Sequence, residues 1–479
     1  MDDKLTFRRF SDGEHNYKRW SDDIFNEDTS YKCPTYVHKT PPCQGSCPSG
    51  EDIRGWLQIV RGIEKPPAGV SWQEYAFRRS TDANPFPSMM GRVCPAPCQE
   101  GCNRNEVEDF VGINSVEQYI GDHALQESLS FEKPARESGK RVAVIGGGVA
   151  GMAAAYQLRR CGHGVTIFDE RAELGGMSRY GIPGYRMPRD VMDGENQRIL
   201  DMGVEARMNT RVGRDVSFEQ LEQDYDAILL AVGAQQGRTL NIPGGDAPNC
   251  VSGVAFLAAF NEGRMHYTAE KVVVIGGGDT AMDVISVARR LGHIKTVHEN
   301  DRPEAIIRNL TAHDVATAAS REGSEVLLIY RRPIEQMPAA EHEVITAEQE
   351  GVKIRGSLAP VELVLGEDGR AKALRVIEVD WTDGKMTPKE GSEFDIECDL
   401  VVPAVGQSGD LTGLEQFDNG RGLIDADKYY QVPDKPGYFV CGDIVRPHLL
   451  TTAIGQASVA ADSIDRYPVS YTHLRAHET

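Results

Sequence analysis

Apolar and polar residues alternate along this chain in two rhythms. Short unbroken apolar runs at Arg141–Ile145, Val165–Phe168, Ala227–Gly233, Lys271–Ile275, Glu325–Tyr330, Leu400–Gly406 and Phe439–Cys441 have the length and bulk of buried strands. Segments at Met152–Arg160, Met282–Leu291 and Thr451–Ala461 carry the spacing of helices and follow three of these runs. Strands that alternate with helices build parallel sheets, so the chain is expected to be α/β. Before Phe131 the pattern changes. Ile53–Ile63 and Gln73–Arg79 show helical spacing, which predicts a small helical domain closed by the linker Lys133–Gly139 with Pro134 and Ser138.

Glycines sharpen the first strand–helix junction. Arg141–Ile145 runs at once into Gly146, Gly147, Gly148, Val149, Ala150 and Gly151, a GxGxxG turn between strand and helix. In such a turn the first glycine makes the bend, the second admits a pyrophosphate, and the third lets helix and strand pack. Asp169, at the end of the next strand, is placed to accept from a ribose hydroxyl. The arrangement repeats after Lys271–Ile275, where Gly276, Gly277, Gly278, Asp279, Thr280 and Ala281 form GxGxxA. Two Rossmann-like domains imply two dinucleotides. The second site's following strand ends in Arg331 and Arg332 instead of an acid, a pair that suits the 2′-phosphate of NADPH or else is simply solvated.

The end of the chain returns to the first site. Phe439–Cys441 leads into Gly442 and Asp443, then into a helix; an acid there suits a ribityl chain, which points to FAD held by both ends of an interrupted domain. The expected organisation is therefore residues 1–135 as a helical cysteine domain, 136–245 with 400–467 as an FAD domain, and 246–399 as an inserted NADPH domain. A stretch of unread purpose at 293–323 holds a helix-like segment, Asp314–Arg321.

Charge and composition exclude other classes. Fifty-two basic residues against 72 acidic give a net charge of −20, which disfavours nucleic acid and anionic membrane as partners. No apolar run has the length of a membrane span, and Met1–Trp20 lacks the hydrophobic core of an export signal, so the cytoplasm is the expected compartment. A reducing compartment favours metal or redox roles for cysteine over disulfides.

Six of the ten cysteines fall early, as Cys33, Cys43 and Cys47, then Cys94, Cys98 and Cys102. Prolines and glycines bend both groups so that several thiolates can face one centre. Iron–sulfur clusters need such folds; a structural zinc is the alternative, though its ligands usually come in tighter pairs.

These residues together resemble the small (beta) chain family of NADPH-dependent glutamate synthase. The resemblance covers about Lys32–Asp465 and rests on PCQGSCPSG at Pro42–Gly50, GRVCPAPCQEGC at Gly91–Cys102, VIGGGVAGMAAA at Val144–Ala155, VVIGGGDTAMD at Val273–Asp283 and YRR with QMPA at Tyr330–Ala340. Dihydropyrimidine dehydrogenase, ferredoxin:NADP transhydrogenase subunits and a sulfur-oxidation flavoprotein share them. The resemblance implies an FAD enzyme with two 4Fe-4S clusters that takes hydride from NADPH and passes electrons to a partner, either a glutamate synthase large chain or a ferredoxin-like acceptor. It implies Cys33, Cys43 and Cys102 as ligands of one cluster, and Cys47, Cys94 and Cys98 with Glu117 for the other. Gln118 competes with Glu117, but Ser115 and Gln118 also read as a helix capping box.

The chain departs from the family where a second early cysteine is expected. His38 stands there, as a cluster ligand or as a loop histidine. Beyond Asp465 the family pattern stops, and 468–479 is expected to be a foreign tail. No acid–base side chain is expected to be catalytic, since hydride delivery depends on position. A thioredoxin-reductase-like reading lacks a CxxC beside the flavin, and a non-catalytic scaffold remains the other alternative.

Overall fold

The computed structural model describes residues 40–107, 109–294, 302–308, 323–382 and 384–467. Cys33, His38, the helix expected at Asp314–Arg321 and the tail 468–479 lie outside them. The chain forms two compact units: one holds the N-terminal part to Gly176, Arg186–Ala234 and the part from Leu411, and the other holds Met177–Tyr185 and Gln235–Asp410.

The first unit is built on a five-stranded sheet in the order Tyr438–Val440, Ala227–Leu230, Arg141–Ile145, Gly164–Phe168, Val204–Arg207, every neighbour parallel. Val142, Ala143 and Val144 are fully enclosed, as the unbroken apolar run requires when helices cover both faces. Helix Val149–Arg160 packs on helix Leu450–Arg466, and every residue from Val149 to Arg159 is buried.

The cysteine region belongs to the same unit. Its helices Ile53–Val60 and Trp72–Ser80 start at Asp52 and Ser71, whose side chains accept the Gly55 and Glu74 amides. Trp56, Ile59, Phe77 and Ile120 make their common core. Helices Pro87–Val93 and Ile113–Gln126 cross at glycines: a Cβ on Gly91 would stand 2.5 Å from the Gln118 Cβ, and one on Gly121 would strike the Ser88 backbone. The capping box expected at Ser115 does not form, because the helix begins two residues earlier, at Ile113, behind Gly112.

The second unit has a parallel sheet in the order Leu400–Pro403, Lys271–Ile275, Glu325–Ile329, Lys353–Arg355. Leu400–Pro403 therefore pairs with the second nucleotide fold and not with the first. The chain passes between units on either side of Met177–Tyr185, after Ala234 and after Asp410. Apolar run and Ala-Val-Gly ending are alike in both strands, so only pairing decides which sheet each joins. A further antiparallel sheet, in which Ala371–Thr382 pairs with Leu358–Leu365, Lys385–Pro388 and Phe394–Glu397, was not anticipated. Ala371, Leu374 and Val376 of that strand are buried in one core with Leu358 and Leu363.

Of the stretch 293–323, His293 bridges Thr268 and Pro303–Ile307 is helical, with Glu304 ion-paired to Arg370.

Candidate functional site: two nucleotide turns and a thiol pocket

The first glycine turn has the geometry its sequence requires. Gly146 sits at φ 108°, where a Cβ would strike the Ala231 carbonyl, and a Cβ on Gly151 would strike the carbonyl of Gly146. Gly148 is the N-cap of helix Val149–Arg160 with no side-chain bond to the first turn, which leaves backbone N–H groups for an anion. Gly148 also bridges Gly175, and the Gly175 amide donates to the Gly147 carbonyl at 2.9 Å. This second glycine pair, Gly175 and Gly176, escaped the sequence reading, although its GG doublet was visible.

Asp169 closes the turn from the side. Its carboxylate accepts the Gly147 amide at 2.6 Å and the Arg171 amide at 2.8 Å, and burial pushes its pKa above the usual range. Its oxygens thus brace the glycine turn itself, a task beyond the ribose contact expected of it.

Gly442 and Asp443 arrive from the far end of the chain. Gly442 lies at φ 84°, and a Cβ there would come within 2.8 Å of the Ala150 Cβ, so this segment stands directly on the first turn of the first nucleotide helix. The Gly442 amide donates to Gln456 Oε1 at 2.8 Å. Burial pushes Asp443 up to about 6, partly offset by the His448 amide it accepts at 3.2 Å.

The thiol pocket meets the helix that bears Gln456, Leu450–Arg466. Cys47, Cys94 and Cys98 lie within electrostatic reach of Glu117 and Glu51, and Cys98 also of Cys47 and Cys94. Cys43 has Cys102 as its thiol neighbour. Burial pushes Cys47 and Cys94 up to about 12, and Cys98 in the same direction. Such thiols keep their protons unless a metal takes the proton's place. Among the described residues no three His, Cys, Asp or Glu side chains converge on one metal ion. A four-iron cluster asks for a different arrangement, one thiolate at each corner of a body. This donor set of soft thiolates around a dry pocket fits that group.

Glu117 is buried, accepts Asn84 Nδ2 at 2.7 Å, and is held well above the usual carboxylate range by burial and by Glu51. Gln118 spends its side chain on the Gly91 crossing and on Asp122. Glu51, whose Oε1 accepts Ser49 Oγ at 3.2 Å while that hydroxyl meets Cys47 Sγ at 3.1 Å, was missed by sequence reading. Its sole signal was its place in CPSGED.

One helix joins the two sites. Thr451, in the first turn of Leu450–Arg466, lies near Cys94 with its buried hydroxyl unpaired; Gly455, one turn on, leaves room for the Pro48 carbonyl; Gln456 holds Gly442.

In the second unit, Gly276 lies at φ 154°, and a Cβ there would be 2.5 Å from the Ala404 carbonyl. Gly278 caps helix Asp279–Leu291 without a side-chain bond, and Asp279, Thr280 and Ala281 form its first turn. Gly277 lies against the ring of Tyr330, at 2.7 Å from a Cβ. Next along the chain, Arg331 and Arg332 face the ring of Trp381 at 5.9 and 4.7 Å, and Arg332 Nε is buried with no hydrogen-bond partner. An orphaned buried donor beside a nucleotide turn suits a phosphate oxygen.

Residues 140–461 match the pyridine nucleotide-disulphide oxidoreductase model. The chain belongs to that family. Residues 19–129 also match dihydropyrimidine dehydrogenase domain II, 4Fe-4S cluster. The oxidoreductase is 35% identical to the glutamate synthase [NADPH] small chain of Mycobacterium tuberculosis, over 91% of this chain and 87% of that one. It is 34% identical to the NADP(+)-dependent formate dehydrogenase subunit beta of Moorella thermoacetica, over 89% of this chain, and spans only 60% of that relative. Among solved structures, FprA of Mycobacterium tuberculosis in complex with NADPH aligns with a TM-score of 0.56 at 20% identity, over 72% of this chain and 87% of that one, which shows a shared fold. The oxidoreductase thus combines a pyridine nucleotide-disulphide oxidoreductase domain with a 4Fe-4S domain. Among the described residues no helix is long and apolar enough to cross a membrane.

The remaining cysteines give a disulfide-reductase reading no support. Cys250 and Cys398 are neighbours in one core, but burial pushes them up to about 11 and about 12, away from a reactive thiolate.

Proposed function

We propose that this oxidoreductase is an electron-entry unit: it accepts hydride from NADPH onto FAD and passes single electrons through two 4Fe-4S clusters to a partner protein. The observation that carries this reading is the helix Leu450–Arg466, which contacts the Gly442 turn through Gln456 and the cysteine loop at Pro48 through Gly455. Flavin chemistry converts a two-electron donor into one-electron carriers. What the chain itself supplies is position.

Gly146, Gly148 and Gly151 with Asp169, Gly442 and Asp443 hold FAD in this proposal. Gly276, Gly278, Asp279, Thr280 and Ala281 receive the NADPH pyrophosphate, and Arg331 and Arg332 its 2′-phosphate. Cys47, Cys94, Cys98 and Glu117 hold one cluster; Cys43 and Cys102 hold the other, with Cys33 and His38 from outside the described residues. The partner is a glutamate synthase large chain, a reading supported by the 35% identity to the glutamate synthase [NADPH] small chain over 91% of this chain.

Anaerobic purification followed by counting FAD, iron and acid-labile sulfide tests the proposal. About one FAD and eight irons per chain are expected, with flavin bleaching by NADPH ahead of NADH. Flavin that NADPH leaves oxidised would overturn the reading in favour of a scaffold.

A further inference from the structure

The hairpin that carries Trp381 belongs to the sheet that sequence reading did not foresee, and no role has been assigned to it. Trp381 is the penultimate residue of the long strand Ala371–Thr382 and pairs with Met386. Its ring lies under two guanidinium groups at once, 4.7 Å from Arg332 and 5.9 Å from Arg331. Among the described residues neither arginine has a carboxylate partner, so the indole is what holds them.

Backbone bonds tie this ring to the nucleotide fold. The Ser357 amide donates to the Arg332 carbonyl at 2.9 Å, and the Val379 amide donates to the Ser357 carbonyl at 3.0 Å, two residues before Trp381. Ser357 holds φ 56°, an uncommon conformation for a residue with a side chain. Gly356 beside it leaves no room for a Cβ, which would stand 2.8 Å from the Arg332 carbonyl. The strand end bearing the arginines and the strand bearing the tryptophan are thereby fixed in register.

Long arginine side chains lose rotamer freedom when they clamp a ligand, and a preorganised fork loses less. An aromatic face attracts the guanidinium without offering it an acceptor, so the N–H donors stay available to an anion. A carboxylate in the same place would neutralise the charge and compete with phosphate.

We propose that Trp381 is a positioning residue for 2′-phosphate recognition: it holds Arg332, and secondarily Arg331, in the conformation that selects NADPH over NADH. The proposal rests on the assignment of the two arginines to NADPH given above. It names an aromatic selector outside the glycine turn, on an antiparallel hairpin.

The test uses purified FAD-loaded protein and two probes, 2′,5′-ADP and 5′-ADP, titrated calorimetrically, so no turnover is needed. Wild type should bind 2′,5′-ADP well ahead of 5′-ADP. Trp381→Leu should weaken 2′,5′-ADP about fivefold, the size of a cation–π contact at a partly exposed site, and leave 5′-ADP unchanged. Trp381→Phe, which keeps a ring, should recover most of the loss and guards against a folding defect in the leucine variant. Equal weakening of both probes would overturn the proposal, since the ring would then serve the adenine. So would unaltered discrimination in Trp381→Leu. A wild type that fails to discriminate would instead refute the NADPH assignment itself.

Discussion

Gly455→Ala probes the contact on which the electron-entry reading depends. Gly455 is internal to the helix Leu450–Arg466, where alanine is ordinarily favoured over glycine by about 1 kcal/mol. Here a Cβ would overlap the Pro48 carbonyl of the cysteine loop, and backbone cannot rotate aside as a side chain can. Overpacking of this kind costs about 1–3 kcal/mol, which outweighs the propensity gain. Gly194→Ala supplies the control, because it too lies in a helix of this unit but its Cβ would meet only the Leu125 Cδ2 tip at 2.8 Å, which can swing away. The alanine at 194 should be neutral or slightly stabilising, and the one at 455 destabilising by up to about 2 kcal/mol. At roughly 2–4 °C per kcal/mol, the two variants separate clearly in the temperature at which flavin is released. Stopped-flow reduction adds a second readout: NADPH should still bleach the flavin of Gly455→Ala while the clusters are reduced more slowly. A Gly455→Ala protein as heat-stable as Gly194→Ala, with cluster reduction unchanged, would refute the contact and with it the proposed route.

Three further outcomes follow from the sites. Arg331→Ala combined with Arg332→Ala should raise KM for NADPH roughly ten- to a hundredfold, the worth of charge-assisted hydrogen bonds, and barely move KM for NADH; an equal rise in both would discard the 2′-phosphate role. Cys98→Ser should lower the iron content by about four per chain, one cluster's worth, while FAD stays bound, and an unchanged iron count would remove Cys98 from the ligand set. Glu195, buried and accepting the Ser88 and Met89 amides at 2.9 Å each, is pushed up to about 7 by burial from 4.5. Below the lower value both folded and unfolded chains carry its proton; as pH rises to 7 the folded chain keeps a proton the unfolded one releases, so this stabilisation is lost, by roughly 3 kcal/mol in all. The stability lead of wild type over Glu195→Gln in urea unfolding should therefore shrink between pH 4.5 and 7, and a lead independent of pH would contradict the raised pKa.

Much of this protein was legible without coordinates where function is written in adjacent residues. A glycine turn between strand and helix needs particular residues at fixed local offsets, so both dinucleotide turns could be read directly, as could the apolar strands behind them. The cysteine groups announced their chemistry by clustering. Relations between distant segments were another matter. Nothing in the two Ala-Val-Gly strand ends distinguishes them, and pairing alone placed Leu400–Pro403 beside Lys271–Ile275. Glu51 entered the thiol pocket, Glu195 reached the helix at Pro87, and Trp381 came under Arg332, because packing unites side chains whose separation in sequence carries no pattern. Local backbone demands leave their mark on local sequence; contacts made through the tertiary fold depend on burial and register, which belong to the folded chain as a whole.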